Sequence, residues 1–210
     1  MMFAATNLFC ERDERVLFSH LDFSIAAGEV LQVQGANGSG KTTLLRILCG
    51  LNPDYSGEIS WAGQDVQNIR ETFNRHMFYL GHSPAINKTL TPLQNLRWYC
   101  ASHGFSDDAA IFMALAELGL VGYENIPCYQ MSAGQQRRVS LARLLLAQAQ
   151  LWILDEPFTA LDKQGVTELE GRIAAKAKAG GAIILTTHHA LQLNCPVRVI
   201  NLDTLIGAAK

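Results

Sequence analysis

Eight consecutive residues, Gly35-Ala-Asn-Gly-Ser-Gly40-Lys41-Thr42, restrict what this chain can be more than any other feature. They fit the pattern G-x-x-x-x-G-K-[ST], which needs a strand in front and a helix behind. Val30-Leu-Gln-Val33 is an apolar run suited to the strand, and Lys41 to Cys49 reads as the helix. The glycines let backbone N–H groups converge on phosphate oxygens where side chains would block the approach. The helix behind them adds the positive end of its dipole. Lys41 is expected to reach the outer phosphates and Thr42 to ligate Mg²⁺, with Gly35, Ala36, Asn37, Gly38, Ser39, Gly40 and Thr43 completing the cradle.

The rest of the chain supplies a scaffold for such a loop. Leu21-Asp-Phe-Ser-Ile25 alternates apolar and polar residues, as a half-buried strand does, and Glu58 to Trp61 reads as another strand. Towards the end, strands at Leu151–Leu154, Ala182–Thr187 and Val197–Leu202 alternate with a helix from about Asp162 to Ala179. That alternation implies a parallel sheet with helices on both faces. The alternation breaks in the middle. Thr91-Pro-Leu-Gln94 and Ser132-Ala-Gly-Gln135 are capping boxes that open helices, and Asp107-Asp108 opens a third between them. An inserted helical subdomain is therefore expected at about 83–135, within a single domain spanning 1–210.

Leu151-Trp-Ile-Leu-Asp155-Glu156 is an apolar strand that ends in two carboxylates. Ligand sites of open parallel sheets lie beyond the carboxyl ends of strands. Asp155 is expected to hold the metal through water, and Glu156 to activate the attacking water as general base. Thr186-Thr187-His188 ends the next strand, which places His188 near the same edge.

Composition narrows the partners. With 17 Lys and Arg against 19 Asp and Glu the net charge is −2, which gives no footprint for nucleic acid. Cys10, Cys49, Cys100, Cys128 and Cys195 are scattered, with neither CxxC nor CxxCH, so they read as buried thiols in a reducing compartment. No haem site is evident. No apolar run approaches the roughly 20 residues of a membrane span, so any spans belong to partner subunits.

Met131-Ser132-Ala-Gly134-Gln135-Gln-Arg-Arg138, Leu151-Trp-Ile-Leu-Asp155-Glu156-Pro and Thr159-Ala-Leu-Asp162 follow the glycine loop in order. Together they resemble the ABC ATPase set of Walker A, signature, Walker B and D-loop. The resemblance runs from about Phe3 to Leu202. It implies an α/β P-loop NTPase fold of the ABC type. The core would be mostly parallel, with an N-terminal antiparallel β subdomain and the inserted helical subdomain. It also implies ATP and Mg²⁺ as ligands and a head-to-tail homodimer. Each ATP would lie between one glycine loop and the Ser132/Gly134/Gln135 face of the partner, with Asp162 nearby. His188 matches the switch histidine, whereas His189 is expected to point elsewhere.

Two departures stand out. Counting back from Thr91 puts His82 where a Q-loop glutamine is expected, which assigns His82 to γ-phosphate or metal-water contact. The loop read at Cys10-Glu-Arg-Asp-Glu-Arg15 has no aromatic for adenine, so either Arg12 or Arg15 stacks by the guanidinium plane or the run is a solvated charged segment. That same segment resembles the ATP-binding subunits of the cytochrome c maturation (haem exporter) system. So do Tyr79-Leu-Gly-His82, the signature segment and Leu185-Thr-Thr-His188. That resemblance implies integral membrane subunits of the maturation complex as partners, at the cytoplasmic side of a bacterial inner membrane. Trp98, Tyr99 and Phe105 are the aromatic candidates for contact with them. An ABC ATPase for another cargo is the alternative.

Overall fold

The computed structural model describes residues 2–204; Met1 and residues 205–210 of the expected single domain lie outside the described residues. The chain divides into two compact units, Met1–Tyr79 with Ala149–Pro157 and Leu169–Lys210, and Leu80–Gln148 with Phe158–Glu168.

The first unit carries two sheets. One is antiparallel, in the order β2-β1-β4-β5, with β1 Phe3–Arg12, β2 Arg15–Ile25, β4 Ser56–Trp61 and β5 Gln64–Asp65. β1 and β2 form a hairpin whose register closes at Arg12↔Arg15. Asp13 and Glu14 at its tip both have positive φ, the geometry that matches the strands' right-handed twist. The segment read as a loop is therefore mostly strand, and it turns through two residues. Arg12 spends its charge locally, 3.5 Å from Asp13, with both side chains exposed.

Behind this sheet lies an aromatic cluster. Phe3 stacks on Phe73 at 5.9 Å between centroids, and Trp61 meets Phe73 edge-on at 5.8 Å. Phe73 comes from α2, Arg70–His76, which the sequence reading does not single out. Phe73 is its one buried residue, so it carries no apolar period to read.

The second sheet has the order β6-β7-β8-β3-β9, with β3 Val30–Gln34, β6 Met77–Leu80, β7 Leu151–Asp155, β8 Ala182–Thr186 and β9 Val197–Asn201. β3 pairs in parallel with β8 and β9, and β7 with β8. β7 and β8 are buried at every position, as strands covered on both faces are. β6 escaped the reading because four residues follow α2 with no Gly or Pro between them. α1 Lys41–Leu48 buries Leu44, Leu45, Ile47 and Leu48, and α6 runs Lys163–Lys178.

The second unit holds α3 Pro92–Ser102, α4 Asp108–Glu117 and α5 Ala133–Leu146. The capping boxes at Thr91 and Ser132 both form, and Asp107 caps α4 by accepting from the Ala110 N–H. Arg97 Nε donates to Asp108 Oδ1 at 2.9 Å, tying α3 to α4. Tyr99 is buried and Phe105 half-buried, leaving Trp98, 71% exposed, as the surface aromatic of that trio. Among the described residues no helix is long and apolar enough to cross a membrane.

Candidate functional site

The candidate residues form two groups, one on each unit. On the first unit, strand register brings three segments to one sheet edge. Thr186 at the end of β8 lies abreast of Val33 in β3 and of Asp155 in β7. The glycine loop leaves β3, the acidic pair ends β7 and the histidine pair follows β8.

The loop is built for an anion. Gly40 is the N-cap of α1 with φ 99°, and no side chain caps the helix, so its first N–H groups face the loop. The first turn carries no acidic residue. A Cβ on Gly35 would collide with the hydroxyl of Ser39, a residue only 2% exposed. Lys41 Nζ donates to the carbonyls of Gly35 at 2.8 Å and Ala36 at 3.1 Å, so the ammonium folds back over its own loop. The Ala36 N–H donates to both oxygens of Asp203, at 2.9 and 3.1 Å. Thr42 is exposed and Thr43 half-buried on the first turn.

Asp155 is 1% exposed. The Thr186 hydroxyl donates to its Oδ1 at 2.8 Å and accepts the Glu156 N–H at 3.0 Å. One hydroxyl thus sets both carboxylate residues. Glu156 has φ 47°, left-handed backbone that a residue with a Cβ adopts only when its surroundings impose it. Its Oε2 accepts the His188 N–H at 3.4 Å, and its Oε1 lies 3.6 Å from His188 Nε2. The charge of Asp155 is felt around it. Burial, with that charge as the second cause, raises the Cys49 thiol and the Tyr79 phenol above their ordinary values. A buried carboxylate on an ordered strand end, beside an anion-ready loop with a hydroxyl on its first helical turn, suits a magnesium nucleotide.

On the second unit α5 organises the remaining candidates. Ser132 accepts the Gln135 N–H at 3.2 Å, and the Gln135 side chain accepts the Ser132 N–H at 2.9 Å. A Cβ on Gly134 would stand 3.2 Å from the Ala160 carbonyl, so the segment before Asp162 packs closely there. Asp162 caps α6 through the Gly165 N–H at 2.8 Å, and its other oxygen takes Arg138 at 2.6 Å. Its carboxylate is therefore engaged within its own chain. His82 is exposed, and its backbone is held: Arg137 donates to the Gly81 and His82 carbonyls, Ser140 to Pro84 and Arg143 to Ala85. Residues 137, 140 and 143 recur at helical spacing, so one face of α5 clamps the segment that carries His82.

Sequence reasoning missed Thr186 as a bracket and Asp203 as a partner of the glycine loop. A threonine closing the apolar run Ala182–Leu185 was a signal for the first; nothing local signalled the second. Cys10, Cys49, Cys100 and Cys128 are buried and Cys195 half-buried, all as free thiols.

Comparison with known proteins places this geometry. The ABC transporter family model matches residues 18–159. The cytochrome c biogenesis ATP-binding export protein CcmA of Hahella chejuensis is 50% identical over 201 residues, 96% of this chain and 95% of that protein. A solved ATP-binding subunit of an ABC transporter superposes with a TM-score of 0.80 at 26% identity, covering 90% of this chain and 80% of that one. A dimeric ATP-binding cassette in a post-hydrolysis state with ADP and Pi also superposes at 0.80, over 90% of this chain and 88% of that one. Its 21% identity makes that likeness one of fold.

Proposed function

The chain belongs to the ABC transporter family, and from that premise we propose that it is the ATP-hydrolysing subunit of a cytochrome c maturation complex. The observation that carries the catalytic half of this reading is Glu156 facing His188 at 3.6 Å on the sheet edge from which the glycine loop also departs. The 50% identity to cytochrome c biogenesis relatives carries the cargo half.

In this reading Lys41 and the N-terminus of α1 bind the outer phosphates, with the Lys41 ammonium exchanging loop carbonyls for phosphate oxygens. Thr42 and Asp155 would hold Mg²⁺, which supplies charge neutralisation at the phosphates when bound. Glu156 accepts the proton of the attacking water. His188 Nε2 donates a hydrogen bond to the γ-phosphate and stabilises the charge that develops there. His82 is assigned by its place in the sequence to the γ-phosphate or to a metal-bound water.

Two copies pair head to tail, each supplying Ser132, Gly134 and Gln135 to the nucleotide on the other's glycine loop. The complex works at the cytoplasmic face of the inner membrane, with this chain peripheral. A groove of about 500 Å³ on the helical unit, lined by Ile86, Leu90, Trp98, Tyr99 and Arg143 among others, is the surface offered to the membrane subunits. Trp98 stands out of its rim, and Arg143 lies 5.0 Å over the Tyr99 ring.

Replacing the gene in its host with Glu156→Gln tests both halves. Purified variant should bind ATP and turn it over roughly 100-fold or more slowly than wild type. Haem staining should show covalent haem lost from c-type cytochromes while b-type haem persists. Unchanged c-type staining with the variant present would assign this ATPase another cargo.

A further inference from the structure

α6 buries Leu169, Glu170, Ile173 and Ala177. Three of these are core side chains, and the fourth is a carboxylate that the mechanism above leaves unused. Glu170 is 7% exposed. Its Oε1 accepts the Gln192 N–H at 2.6 Å and meets His189 Nε2 at 3.1 Å. Two donors on one carboxylate oxygen make a strong, short contact.

Both donors belong to the segment that follows His188. Residues 187–196 have no regular secondary structure, so side-chain anchors rather than a ladder fix their path. On the near side one anchor comes from the sheet and one lies within the segment itself. Gln32 donates to the Thr187 carbonyl at 3.4 Å, and the Thr187 hydroxyl accepts the His189 N–H at 2.9 Å. On the far side the anchor is Glu170. His188 lies between the two with its side chain 63% exposed and reaches Glu156.

We infer that Glu170 is a positioning residue for ATP hydrolysis: through His189 and the Gln192 N–H it fixes the segment that aims His188 at Glu156 and the γ-phosphate. The inference rests on the reading of His188 as the phosphate-facing residue. It assigns His189 the task of a tether, which explains why two adjacent histidines point to opposite partners. A glutamine at 170 keeps an acceptor oxygen for both donors, whereas alanine removes that partner from the Gln192 N–H and from His189.

The test measures steady-state ATP turnover by the full-length protein for Glu170→Ala, Glu170→Gln, His188→Ala and the double variant Glu170→Ala/His188→Ala. ATP affinity and thermal midpoint are recorded alongside. Glu170→Ala should lower kcat about tenfold with KM for ATP within about twofold, since small misplacement of a reacting group costs rate before binding. Glu170→Gln should restore most of the loss. In the His188→Ala background the alanine change should add less than about twofold, because residues acting as a unit are not additive. Turnover that falls equally in both backgrounds, or ATP affinity and thermal midpoint that fall in step with kcat, would show a structural carboxylate and overturn the inference. If His188→Ala itself leaves turnover unchanged, the role given to His188 fails first, and the role of Glu170 fails with it.

Discussion

Thr186 settles more of the chemistry than its ordinary side chain suggests. Its hydroxyl donates to Asp155 and accepts from the Glu156 backbone, so it orients the proposed metal carboxylate and the proposed base together. Thr186→Val keeps the shape and the β-branching of a fully buried position but removes both bonds. Removing one donor from buried Asp155 costs about 1–3 kcal/mol. The expected outcome is a lower thermal midpoint and a kcat reduced by about tenfold or more, read from a melting curve and a phosphate-release assay. A variant as fast as wild type would remove Thr186 from the mechanism. The residues legible in sequence were those whose neighbours in the chain form a pattern, such as Gly35 to Thr42 and Asp155-Glu156. Thr186 was signalled only by its place at the end of an apolar run, and Glu170 and Asp203 were opaque because their partners are distant in sequence.

Among the elements, legibility followed punctuation. α3 and α5 begin at their capping boxes, and β7 and β8 fall on their apolar runs. α2 and β6 lacked both signals, and the hairpin at Asp13-Glu14 hid inside a run of charges. Two contrasts test what the elements do. Thr91→Ala and Ser132→Ala each delete an N-cap worth about 1 kcal/mol. Both should lower the urea midpoint by a similar amount, but only Ser132→Ala should slow turnover if α5 presents its N-terminus to a partner's nucleotide. Equal effects on turnover would reduce Ser132 to a cap. Asp203, beyond the end of β9, braces the glycine loop through Ala36. Asp203→Ala removes an exposed, charge-assisted bond, so KM for ATP should rise roughly threefold with little change in kcat. A KM that does not move would make the brace incidental.

For the molecule as a whole, burial of neutral thiols and phenols sets an alkaline limit. Desolvation raises Cys49 well above its ordinary 9.0, with Asp155 adding to it, and pushes Tyr99 up to about 12 from 10.0 despite the opposing charge of Arg143. Tyr79 is raised as well, chiefly by burial. Above the ordinary values the unfolded chain has released protons that the folded chain still holds, so stability falls as pH rises. The urea midpoint should hold steady to about pH 8.5 and decline from there towards pH 10.5. A midpoint that rises across that window would contradict the assigned burial. The parallel core was readable from strands alternating with a helix, whereas the antiparallel sheet was expected only from the family resemblance, since its strands carry no long apolar run. The division of the helical unit was not, since Phe158–Glu168 joins it from far along the chain.

The left-handed backbone at Glu156 has a consequence for how such a protein changes under selection. Glycine is at ease at φ 47°, and a side chain of any size is not. Glu156→Gly and Glu156→Ala both delete the carboxylate, yet the glycine variant should be more heat-resistant than the alanine one by about 1 kcal/mol. With Glu156 as the proposed base, a library at this position screened for thermal endurance alone would drift towards robust, silent enzymes. Only a screen that also demands turnover would keep the acid in its strained seat.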